Sequence, residues 1–128
     1  MKKLLLASII GLMSITPSYA ACNGGTEVTN TAGTTFCKSN VGMNWWSAYA
    51  WCRANGRTLA TMYEMCPSWD GDTGHGKCPE LNGKGNDTVW SATARGSEYA
   101  FSVMLSVGGV LNSSKRDSYN NGYRAFCR

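Results

Sequence analysis

Six cysteines constrain this chain more than any other feature: Cys22, Cys37, Cys52, Cys66, Cys78 and Cys127. The count is even, no C-x-x-C pair occurs and there is a single histidine, His75, so the set reads as disulfides and not as a zinc site. The compartment agrees. Lys2 and Lys3 give a basic start, Leu4 to Ile15 give an apolar run, and Ser18-Tyr19-Ala20 supplies small residues for cleavage. This is the pattern of an export signal spanning residues 1–20, too short an apolar run for a membrane span. The expected product is a single domain over residues 21–128, secreted, periplasmic or held at the cell surface. A domain this small, rich in Gly, Asn and Ser, has a modest core. Each native disulfide adds roughly 2–4 kcal/mol to it.

Local patterns suggest how the cysteines pair. Thr26 to Thr29, a turn at Asn30-Thr31-Ala32-Gly33, and Thr34 to Cys37 read as a hairpin that brings Cys22 and Cys37 to its open end. Residues 38–43 then connect to a helix. Trp45, Ala48, Tyr49 and Cys52 fall at i, i+3, i+4 and i+7, one face of a helix that Asn44 caps and Gly56 ends. Leu59-Ala60 is an apolar pair for the core. Thr61 and Glu64 have capping-box spacing and open a second short helix that Pro67 stops. Residues 67–88 lack periodicity and form a long polar loop, stapled if Cys66 pairs with Cys78. Cys127, on the final strand Tyr123 to Arg128, is then left for Cys52.

Between the loop and that final strand, Thr88 to Ala92 reads as a core strand and Thr93 to Gly96 as a turn. In Glu98 to Ser106, Tyr99, Phe101, Val103 and Leu105 alternate with Ala100, Ser102, Met104 and Ser106. Gly108-Gly109 turns the chain back into Val110 to Ser114. The fold class expected is α+β: two helices against a twisted antiparallel sheet, stapled by disulfides.

With these elements in order, the chain resembles the C-type lectin-like fold. The residues that carry the resemblance are the W-C of the helix, G-R-x-L-A-T, V-W-S-A-T and the closing Y-R-A-F-C-R. The second half is similar to compact bacterial versions, such as the C-terminal domains of collagen-like adhesins. The resemblance implies a helix-to-last-strand bridge at Cys52–Cys127 and an N-terminal hairpin bridge at Cys22–Cys37. It does not carry the calcium-dependent sugar site of the animal lectins, because E-P-N, Q-P-D and W-N-D are all absent.

Function must come from a site and not from a fold. Asp70 and Asp72 are spaced as in a calcium loop, with Glu80 and Asp87 in the same segment. The EF-hand template fails, because its fifth position is Gly74 and its twelfth is Leu81. No metal or other cofactor is therefore expected, with Asp70 and Asp72 the weak calcium candidates. His75 has no partner motif for catalysis, and no nucleophile elbow, metalloprotease helix or phosphate loop occurs, so the chain reads as non-enzymatic. Among five tryptophans, Trp45, Trp46, Trp51 and Trp90 read as core, whereas Trp69 lies in the polar loop beside Asp70, where exposure would mark a ligand platform. Lys115, Arg116, Arg124 and Arg128, with Lys77 and Lys84, suggest a surface for sulfated or acidic glycans.

The formal charge of +4 falls by two once Lys2 and Lys3 are removed, and the basic stripe of a nucleic-acid binder is absent. The expected function is an exported, adhesin-like binding module. It recognises a glycan or a protein surface through Trp69, Asp70, Asp72, Asp87, Lys115, Arg116 and Arg124. The alternative is a minor structural subunit of a pilus or adhesin complex.

Overall fold

A computed structural model describes residues 21–71, 76–116 and 123–128. Residues 1–20, residues 72–75 with Asp72 and His75, and residues 117–122 lie outside the described residues. The elements are β1 (Gly25–Thr29), β2 (Thr35–Gly42), α1 (Trp45–Ala54), α2 (Met62–Met65), a single 3-10 turn (Pro79–Leu81), β3 (Thr88–Arg95), β4 (Tyr99–Met104), β5 (Gly109–Ser114) and β6 (Tyr123–Cys127). The expected α+β class and disulfide framework are present: Cys22–Cys37, Cys52–Cys127 and Cys66–Cys78 are all bonded.

The local signals in the sequence become local structure. Asn44 Oδ1 accepts the Ser47 N–H at 2.9 Å and starts α1. Thr61 and Glu64 form a reciprocal capping box on α2. Gly56 adopts φ 71° just past α1. Two strands run longer than the sequence suggests. β2 extends through residues 38–42, expected as a connector, because it pairs with β6 on its inner side. β3 extends through Arg95, so the turn falls after it and not at Thr93.

The strand order is β1-β2-β6-β3-β4-β5. The sheet is mixed, which corrects the antiparallel expectation: β6 and β3 run parallel, with Thr88 opposite Tyr123 and Val89 opposite Arg124. Beyond those two pairs the strands separate, and Leu59-Ala60 enters between them. The Ala60 N–H donates to the Phe126 carbonyl at 2.9 Å, and the Ala92 N–H donates to the Ala60 carbonyl at 2.6 Å. The chain after α1 thus satisfies the backbone groups that the divergence exposes.

Both faces of the sheet are buried. Cys37, Trp90, Ala100, Ala125 and Cys127 pack with Ala48 and Cys52 of α1. Their strand neighbours Phe36, Val89, Phe101 and Phe126 pack with Met62 and Met65 of α2 and with Leu81. The alternation is the ordinary pleat, with each residue pointing away from the next. Phe36 and Phe126 stack with centroids 4.6 Å apart. Trp90 is fully buried, and its indole N–H donates to the Met43 carbonyl at 2.8 Å.

The described parts of the 67–88 segment lie against this core. Glu80 accepts both the N–H and the hydroxyl of Ser68 at 3.0 Å. The Cys78 N–H donates to the Gly108 carbonyl at 2.7 Å. A side chain at Gly108 would bring its Cβ to 2.6 Å from the Cys78 carbonyl, at a backbone φ of +70°. That glycine lets the stapled loop seat on the β4–β5 turn.

Candidate functional site

Helix α1 was expected to bury Trp45, Ala48, Tyr49 and Cys52. Only Ala48 and Cys52 are buried. Trp45 is half-buried, and Trp46 and Tyr49 are 45% and 40% exposed. The sheet meets α1 along a narrow line held by the Cys52–Cys127 bond, so the flanking aromatics reach solvent. Trp45 is the fixed member. Its backbone N–H donates to the Lys115 carbonyl at 2.9 Å, and its indole N–H donates to the Ser91 carbonyl at 2.9 Å. Trp46 stands nearly perpendicular to it, at 6.1 Å and 88°, and Tyr49 leans on it at 5.4 Å. Together with Ala50 and Arg53 these rings line an open concavity of about 390 Å³.

Lys115 packs its ammonium against these rings. It is only 6% exposed. Its ammonium lies 4.3 Å from the Trp45 ring centroid and 6.0 Å from that of Trp46, and it donates to the Gly96 carbonyl at 3.3 Å. A cation on an aromatic face in a largely dry setting is worth about 1–2 kcal/mol. It braces Trp45 and makes the local potential positive.

Among the described residues, the site residues expected from the sequence do not gather into one site, although Asp87 and Arg124 meet. Lys115 is under α1 and is not an open basic contact. Arg116 is exposed and pairs with Glu98 at 3.8 Å. Arg124 and Asp87 belong to a partly buried triad with Lys38: Lys38 Nζ lies 2.6 Å and Arg124 Nη2 3.3 Å from the two Asp87 oxygens. Arg124 also donates to the Ser39 carbonyl at 3.2 Å, which ties β2, β6 and the start of β3 together. Trp69 is 6% exposed. Its ring packs between Tyr63 at 5.1 Å and Phe101 at 5.0 Å, so it fills the core under the loop and offers solvent no free face. Asp70 is exposed. Among the described residues, no group of three potential metal ligands occurs.

Sequence reasoning assigned Trp46 to the core and did not single out Arg53 or Lys38. Trp46 carried a signal: it is one residue from Trp45, and neighbours on a helix point in different directions, so both cannot face the same sheet. Comparison with known proteins found no matching family model and no matching curated protein. Among the described residues, no helix is long and apolar enough to cross a membrane.

Proposed function

We propose that this chain is an exported, non-enzymatic binding module of the C-type-lectin-like type. It acts as an adhesin-like domain that takes a glycan or a protein surface on the aromatic face of α1. The observation that carries the proposal is the open ring cluster of Trp45, Trp46 and Tyr49, where two large aromatics stay in water although burial would stabilise each by about 1.5–3 kcal/mol. The fold-family part draws support from the Cys52–Cys127 tie between helix and last strand and the Cys22–Cys37 tie of the first hairpin. The leader supports export.

The test is binding of the oxidised mature chain to sulfated and neutral glycans and to extracellular surface proteins, with calcium and with chelator. Binding that survives the chelator and is lost in Trp46→Ala supports the proposal. Binding that needs calcium and tolerates Trp46→Ala moves the site to the Asp70 loop.

A second reading rests on other exposed side chains. Tyr63, Tyr99 and Val107, on α2, β4 and the β4–β5 turn, are 56%, 47% and 53% exposed and suit contact with a partner chain. They favour a minor structural subunit of a pilus or adhesin complex. That reading predicts a stable oligomer or co-purifying subunits, and a monomer at high concentration with no co-purifying chain argues against it.

A further inference from the structure

The concavity on α1 also restricts the chemistry of what enters it. We infer that it accepts a ring with an apolar face that carries a carboxylate or sulfate, such as an acidic sugar residue. The ring stacks on Trp46 and Tyr49, and the anion meets Arg53. This inference rests on the proposed use of the α1 face.

Size argues for a small group. A stable protein contact needs about 800 Å² from each partner. Here five residues within one helix line about 390 Å³, near the small end for ligand sites. The other large apolar side chains exposed among the described residues, Val41, Tyr63, Tyr99 and Val107, are not among the lining residues.

Shape argues for a ring. Trp45 and Trp46 meet at 88°, so they form two walls of a corner, and Tyr49 forms a third surface tilted at 43° to Trp45. Trp45 cannot turn away without breaking its indole bond to the Ser91 carbonyl. Flat apolar surfaces held at fixed angles favour a rigid flat guest, whose stacking costs little conformational freedom.

Charge selects the sign. An aromatic corner like this often takes a cation, but that role is filled by Lys115, whose ammonium is 4.3 Å from Trp45. Arg53 is exposed at the other side of the concavity, and it enters none of the ion pairs among the described residues. Helix α1 contains no acidic residue. A cationic guest is therefore disfavoured, and an anion meets Arg53, which can grip it as a fork.

The test is an NMR titration of the oxidised mature chain with glucuronate, glucose and benzoate, repeated on Trp46→Ala and Arg53→Gln. Both substitutions are at exposed positions, and the dispersion of the amide spectrum checks that each variant is folded. The expected result is that the α1 backbone amides and the Trp45 indole, reporters present in both variants, shift with glucuronate, at least ten-fold more tightly than with glucose. Arg53→Gln removes that preference, raised salt reduces it, and Trp46→Ala abolishes binding. Shifts with benzoate alone, lost in Arg53→Gln, support the shared chemistry and assign it to aromatic acids. Equal binding of glucose and glucuronate, indifferent to Arg53→Gln but lost in Trp46→Ala, overturns the anionic preference and leaves α1 as the binding face. No shift with any probe overturns the inference. The α1 face itself is then judged by whether Trp46→Ala still loses the surface binding described above.

Discussion

At the scale of single residues, the side chains fall into those that hold the fold and those left for contact. Asp87 is in the first group. Changing it to Asn removes the carboxylate that Lys38 and Arg124 share. We expect a loss of about 1–3 kcal/mol by chemical denaturation, growing as salt is lowered. Gly108→Ala puts a methyl 2.6 Å from the Cys78 carbonyl in a left-handed conformation, and about 1–3 kcal/mol should be lost there too. The triad was not legible in the sequence, because Lys38 and Asp87 stand 49 residues apart and meet only through the sheet. Trp69 misleads for a related reason. Its polar neighbours suggest a solvent position, but the Cys66–Cys78 bond and the Glu80 contacts draw that loop onto the sheet and bury the ring.

At the scale of elements, what is local in sequence was readable and what depends on strand neighbours was not. The caps at Asn44 and Thr61 follow from short-range hydrogen bonding, and both are formed. The parallel pairing of β3 with β6 does not follow from any local pattern. It arises because the last strand inserts between β2 and β3. Helix α1 shows the limit of periodicity, which finds the buried stripe at Ala48 and Cys52 but not how wide it is. The two caps separate the roles of the helices. Asn44→Ala and Thr61→Ala should each cost about 1 kcal/mol in stability. Only Asn44→Ala should also weaken ligand binding, because fraying the first turn of α1 releases Trp45 and Trp46. Equal effects of the two variants on binding, at matched stability, would place the site elsewhere.

At the scale of the whole molecule, three cross-links close a small domain of unequal loops. Cys52–Cys127 spans 75 residues, against 15 and 12 for the other two. If the loss is mainly entropy of the unfolded chain, replacing the Cys52–Cys127 pair by Ala should cost about 1.5 kcal/mol more than replacing either other pair. That bond also fixes α1 against β6, so its loss should reduce binding more than removal of Cys66–Cys78 does. The central claim is that the exposed rings of α1 are where this module meets its ligand. The most direct measurement compares the native chain with Trp46→Ala/Tyr49→Ala for binding to a glycan and surface-protein panel, with unfolding midpoints measured in parallel. The claim predicts that the double variant stays folded, losing about 1–3 kcal/mol for the two ring contacts to Trp45, and loses binding at least ten-fold. A double variant that folds normally and binds as well as the native chain would contradict it.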